Sequence, residues 1–152
     1  MAIRGTVTIS APASSVWPFI ADPVLESAWN PKIVAVDRDR TGPVELAERF
    51  GMAFVMSGKE SRCEAEVIEC HPPNRLLYRY RMANESRPGS VEISYDMSQT
   101  PTGTKLIQTI DMSGMRIPIL LRALIALLTR FGRPTGMPYL EMLRENVESF
   151  ED

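Results

Sequence analysis

The sequence predicts an α+β fold, one antiparallel sheet with a helix at its end, on three observations. Short segments alternate apolar and polar residues with a period of two. Clusters of Gly, Pro and Asn punctuate these segments at hairpin intervals. After residue 112 the period changes to that of a helix. Strands joined by short turns pair antiparallel, and helices kept to the ends of the run give α+β rather than alternating βαβ units.

Taken in order, residues 2–10 place Ile3, Val7 and Ile9 on one side and Arg4, Thr6, Thr8 and Ser10 on the other, a half-buried strand. Ser10-Ala11-Pro12-Ala13 breaks it and starts a helix whose apolar face is Val16, Trp17, Phe19 and Ile20. That helix ends before Asp22-Pro23, and a second short one, Val24 to Trp29, stops at Asn30-Pro31. About six strands follow. The first is Lys32–Arg38. Residues 46–57 set Phe50, Met52, Phe54 and Met56 on one face and Arg49, Gly51, Ala53 and Val55 on the other. Ser57-Gly58-Lys59 turns the chain into Ser61–Cys70, which His71-Pro72-Pro73-Asn74 closes. In Arg75–Met82, Leu76, Tyr78, Tyr80 and Met82 share a face. Arg87-Pro88-Gly89 leads to Val91–Met97, where Val91, Ile93, Tyr95 and Met97 alternate. Thr100-Pro101-Thr102-Gly103 leads to Thr104–Met112. Residues 116–131 then read as helical, and Leu140, Leu143, Val147 and Phe150 recur at three and four in a last amphipathic stretch. Gly132, Pro134, Gly136 and Pro138 leave open whether 116–150 is one kinked helix or two.

With 152 residues the chain fits a single domain, 1–152. Its 44 % hydrophobic and 24 % charged residues are an ordinary globular balance, and a formal net charge of −2 spread along the chain offers no basic stripe for nucleic acid. The opening MAIRGTVTIS has no uninterrupted apolar run, so a signal peptide is not expected and the cytoplasm is the default location. Cys63 and Cys70 are seven apart in one predicted strand. That spacing puts them on opposite faces, roughly 23 Å apart, beyond disulfide reach, and free thiols fit a reducing compartment. Ile117 to Leu128 is apolar but for Pro118 and Arg122. At about 12 residues it falls short of the roughly 20 that span a bilayer, so no stable membrane insertion is expected.

The segment Ile9-Ser10-Ala11-Pro12-Ala13-Ser14-Ser15-Val16-Trp17-Pro18-Phe19-Ile20-Ala21-Asp22-Pro23 resembles the opening of the START/SRPBCC superfamily, in particular its polyketide cyclase/dehydrase-like branch. Trp29-Asn30-Pro31, the strand end Glu69-Cys70-His71-Pro72-Pro73-Asn74-Arg75-Leu76, and Gly103-Thr104-Lys105-Leu106 continue the likeness over essentially the whole chain. The resemblance implies the helix-grip fold: a bent seven-stranded antiparallel sheet wrapped around a long C-terminal helix, with two short helices after the first strand. It also implies a cavity between sheet and helix for a lipid, sterol, polyketide or other hydrophobic molecule. Relatives of this kind include carriers, receptors, aromatase/cyclases and co-chaperones, so the fold does not fix the function.

The candidate ligand-binding residues lie on the faces expected to look inward. Phe50, Met52, Phe54 and Met56 form an apolar stripe, and methionine adapts well to a ligand. Plain core packing explains the same stripe, as it does Leu140 and Leu143 on the last helix, because core and pocket wall are partly the same residues in such a fold. Tyr78, Tyr80 and Tyr95 either orient a ligand through hydroxyls that need partners or send those hydroxyls to solvent at the sheet rim. Gln108, in the apolar row of Leu106, Ile110 and Met112, is a ligand contact or is satisfied by backbone. His71, the one histidine, sits in a proline turn, which suggests exposure; no catalytic residue, metal site or cofactor is expected. Glu64, Glu66 and Glu69 read as a solvated face, with Arg62, Arg79 and Arg81 placed to pair across strands.

Three functions compete. The first is binding or transport of a hydrophobic small molecule. The second is an aromatase/cyclase- or dehydratase-like enzyme, which needs a proton-transfer group aimed into the cavity; the sequence offers tyrosines, Gln108 and an inward arginine for it, but lets no histidine or carboxylate be placed there. The third is a ligand-free interaction module using an exposed apolar patch. The 117–128 run serves as core, homodimer contact, gate or lipid contact.

Overall fold

The computed structural model describes residues 2–56, 58–82, 89–115, 120, 123 and 138–151. The expected turn residues Ser57 and Arg87-Pro88 and nearly all of the 116–137 stretch, including the apolar 117–128 run except Leu120 and Ala123, lie outside the described residues. Seven strands form one fully antiparallel sheet: β1 (Ala2–Ile9), β2 (Ile33–Asp37), β3 (Arg49–Met56), β4 (Lys59–His71), β5 (Arg75–Met82), β6 (Ser90–Thr100) and β7 (Gly103–Asp111). The spatial order is β1-β7-β6-β5-β4-β3-β2. The hairpins pair neighbours in sequence, and the first strand closes against the last, Val7 opposite Leu106 and Gly5 opposite Gln108. Helices α1 (Ala13–Ala21) and α2 (Pro23–Trp29) fill the connection from β1 to β2, and α3 (Pro138–Glu151) packs against β1, α1 and α2. This is the helix-grip arrangement that the family resemblance implies.

Local chemistry sets these boundaries. Asp22 ends α1 and begins α2: its backbone N–H donates to the Pro18 carbonyl, and its side chain accepts the Val24 N–H at 3.0 Å with Pro23 at the first helical position. The last carbonyls of α1 find side-chain donors, the Trp29 indole on Phe19 O at 2.7 Å and the Tyr78 hydroxyl on Ile20 O at 2.9 Å. Gly103 opens β7 with φ +153, where a Cβ would stand 2.0 Å from Ile9 O; only glycine lets the β6–β7 hairpin lie against the end of β1. Thr104 fixes the same junction by donating to Ala11 O at 2.7 Å.

The sheet departs from the expected pattern in two places. β3 begins at Arg49 rather than 46, because Glu48 N–H closes a turn onto Glu45 O and Ala47 takes a positive φ. The Glu48 carboxylate caps that turn at Glu45 N–H and is gripped by Arg38 and Arg40. In β4 the register slips between Val67 and Glu69, so Val67 faces Tyr78 but Cys70 faces Leu76. One extra residue reverses the alternation. Cys70 therefore joins Cys63 on the inner side instead of facing away from it, and both remain free thiols.

Candidate functional site

The core lies between the inner face of the sheet and the three helices. Phe50, Met52, Tyr78, Tyr80 and Tyr95 are buried there from the sheet, Trp29 from α2, and Leu140, Leu143 and Val147 from α3. Tyr78 is the hub of the aromatic set: Phe50 and Tyr95 meet it edge-on with centroids 6.3 and 6.4 Å away, and Tyr80 lies 5.6 Å away.

A chain of polar groups crosses this apolar core. Tyr95 on β6 and Gln108 on β7 are directly opposite in register. The Gln108 amide donates to the Tyr95 hydroxyl at 3.2 Å, and the Tyr139 hydroxyl of α3 donates to Gln108 Oε1 at 3.2 Å. Tyr95 in turn donates to Glu26 Oε1 on α2 at 3.4 Å, a long bond for two oxygens. Gly5 faces Gln108 from β1 and puts no side chain into this row. Tyr139 also stacks at 6.0 Å on Trp29 and receives Lys32 Nζ at 5.9 Å from its ring.

Glu26 is the unexpected member. It is 3 % exposed, whereas its neighbour Val24 is 56 % exposed. The face of α2 that turns inward carries Pro23, Glu26 and Trp29, spaced by three, and leaves Val24 and Leu25 outside. Burial raises its pKa from 4.5 to about 8; Tyr95 and the nearby Asn30 side chain favour the charged form but do not offset this. Its Oε2 has no hydrogen-bond partner among the described residues. Burial, and then the neighbouring Glu26 carboxyl, also hold Tyr78, Tyr80 and Tyr95 well above the usual phenol range, push Tyr139 up to about 12, and push Cys63 up to about 11. At neutral pH the cluster is thus a neutral acid among neutral phenols. Such a set can donate and accept hydrogen bonds, and it can hold or pass a proton.

The model of one protein family, described as polyketide cyclase/dehydrase and lipid transport, matches residues 1–136. The chain belongs to this family. Solved structures similar to it include a protein from Chromobacterium violaceum, 21 % identical with TM-score 0.68, covering 97 % of this chain and 96 % of that one. A protein from Mesorhizobium loti is 20 % identical with TM-score 0.69, over 100 % and 99 % of the two chains. DynU16, from the dynemicin biosynthetic locus, is 18 % identical with TM-score 0.63 over 98 % of this chain and 48 % of that one. At these identities the likenesses establish the fold. Among curated proteins, none matches the chain.

Within this family member the expected residues divide. Tyr95 and Gln108 enter the polar chain, and Phe50, Tyr78 and Tyr80 surround it. Tyr78 and Tyr95 are fully buried with internal partners, so neither hydroxyl reaches solvent at the rim. Gln108 is satisfied by two tyrosines, not by backbone. Leu140 and Leu143 are buried on α3, and Phe54 is half-buried further along β3. The Met56 side chain lies outside the described residues. Glu26, Trp29 and Tyr139 are absent from the sequence-based set. The sequence lets no carboxylate be placed inside, and the structure places Glu26 there; its spacing from Pro23 and Trp29 is the one sequence signal that marks its face. Two surface depressions, of about 410 Å³ beside Phe19 and Phe150 and about 140 Å³ beside Met52 and Arg62, do not include the Glu26 chain among their lining residues. Among the described residues no helix is long and apolar enough to cross a membrane.

Proposed function

We propose that this protein binds a hydrophobic small molecule, a lipid, sterol or polyketide-like compound, between the inner face of its sheet and its C-terminal helix. The observation that carries this reading is the chain of hydrogen-bonding groups, Tyr139, Gln108, Tyr95 and Glu26, set into an otherwise apolar interior and ending on a carboxyl oxygen without a hydrogen-bond partner among the described residues. Apolar walls with a few convergent polar groups hold and orient small molecules. Phe50, Met52, Phe54, Tyr78, Tyr80, Leu140 and Leu143 are the proposed walls, and membership of a polyketide cyclase/dehydrase and lipid transport family supports the ligand class. Titration with the neutral apolar dye N-phenyl-1-naphthylamine, followed by displacement with a panel of lipids and sterols, tests it. Saturable enhancement and displacement are expected. No dye binding, together with ligand-free protein in native mass spectrometry of cell-purified material, would refute it.

A second reading, acid–base chemistry on a polyketide-like ligand, is favoured by Glu26 itself. A carboxyl with a pKa of about 8 is suited to giving and taking a proton near neutrality. Incubation with a poly-β-ketone substrate and product analysis decides it: turnover lost in Glu26→Gln supports the enzyme, and turnover that survives in that variant sinks this version of it.

A further inference from the structure

Resting on the binding reading above, we infer that Glu26 is the polar anchor of the site, donating a hydrogen bond from Oε2 to a carbonyl oxygen of an otherwise apolar, uncharged ligand. The direction of the polar chain carries the argument. Tyr139 donates to Gln108 Oε1, the Gln108 amide donates to the Tyr95 oxygen, and Tyr95 spends its one proton on Glu26 Oε1. Every donor in the row therefore points toward Glu26, and Oε1 is an acceptor. A neutral carboxylic acid whose Oε1 accepts carries its proton on Oε2. That oxygen is buried and has no partner among the described residues. The Asn30 side chain hydrogen-bonds toward the carboxyl and favours its charged form, but it does not reach hydrogen-bonding geometry with Oε2.

A buried donor without an acceptor costs free energy, and an incoming lone pair recovers it. The remaining chemistry selects the ligand group. The titratable groups near enough to feel the Glu26 charge are Tyr78, Tyr80, Tyr95 and Tyr139 and the Cys63 thiol, all neutral at physiological pH. No cation among them favours the carboxylate. A ligand ammonium would demand a buried ion pair with no further charge to support it, which is costly. A ketone, quinone or ester oxygen demands only the proton already in place.

The test uses three ligands on one skeleton at pH 6: fluorene, 9-fluorenone and 9-aminofluorene, each displacing N-phenyl-1-naphthylamine. Wild-type protein is expected to prefer the ketone to the hydrocarbon by about tenfold, the worth of one buried hydrogen bond. In Glu26→Met that ratio should fall to about one, and in Glu26→Gln, whose amide also donates, it should be partly kept. The carbonyl stretch of bound fluorenone should shift to lower frequency in the wild type relative to hexane, a readout that needs no variant should Glu26→Met fail to fold. Equal affinity for ketone and hydrocarbon with an unshifted stretch would overturn the anchor while leaving the binding reading intact, an internal water then taking the proton. Preference for the amine would overturn it in favour of a carboxylate. Binding of neither the dye nor any of the three compounds would overturn the binding reading and the anchor with it.

Discussion

Ionising Glu26 should destabilise this protein, and Glu26→Gln should abolish the effect. Unfolded, the carboxyl titrates near 4.5; folded, it titrates near 8. Between those values the folded chain holds a proton that the unfolded chain has released, so raising the pH favours unfolding. Below about 4.5 both states are protonated and the full stability is present; above about 8 both are ionised and the loss is complete. At 1.36 kcal/mol per pKa unit, the difference between about 8 and 4.5 amounts to about 5 kcal/mol, of which about 3 is already lost at pH 7. Against the roughly 5–15 kcal/mol that holds a typical domain together, this is a large share. Glutamine keeps the shape, can still accept from Tyr95, and carries no charge at any pH. Urea unfolding at pH 5, 7 and 9 isolates the contribution as variant minus wild type, since other groups titrate in both. The variant is expected within about 1 kcal/mol of wild type at pH 5 and at least about 2 kcal/mol more stable at pH 9. A difference that stays constant from pH 5 to pH 9 would show that Glu26 is not buried as described.

Three further outcomes follow from the same geometry. Tyr78→Phe leaves the buried Ile20 carbonyl without its side-chain donor and should cost about 1–3 kcal/mol by denaturant titration; no measurable loss would mean that this contact contributes nothing to anchoring α1. Gly103→Ala places a Cβ 2.0 Å from Ile9 O and should cost more than about 3 kcal/mol, since the nearest atom is backbone and cannot swing away. A fully stable Gly103→Ala protein would contradict the seating of the β6–β7 hairpin against β1. In native protein at pH 8, half-buried Cys70 should react with a disulfide reagent before buried Cys63, whose thiol is pushed up to about 11; equal rates, mapped by peptide mass, would argue against the inward turn of β4 at Cys63.

Much of the fold was legible because strand signals are local. Alternation in β1, β5, β6 and β7 and the proline and glycine turns between them depend only on neighbours in sequence, so the strands and their hairpin pairing emerge without coordinates, whereas the pairing of β1 with β7 does not. The β4 bulge was not legible. Which residue a strand skips depends on its partner's register, and so Cys70 was assigned to the wrong face. The same logic divides the site. The inward placement of Phe50, Met52, Tyr78, Tyr80 and Tyr95 is legible because they alternate on strands whose inner face is marked by burial-prone residues. Glu26 was missed because hydropathy ranks Val24 and Leu25 above it on a seven-residue helix too short to show a clear period. Tyr139 was missed for lack of any local mark; its role comes from where α3 crosses Gln108.

The sequence by itself determined the antiparallel sheet, the two short helices, the apolar inner stripe and the family resemblance, all properties carried by nearest-neighbour pattern. Only the tertiary structure decided that a carboxyl from α2, a phenol from β6, an amide from β7 and a phenol from α3 form one hydrogen-bonded chain. These four groups are separated by up to 113 positions in sequence, from Glu26 to Tyr139, and their proximity is created by sheet register and helix packing. Burial in that setting, rather than anything in the residue itself, makes Glu26 a neutral acid near physiological pH.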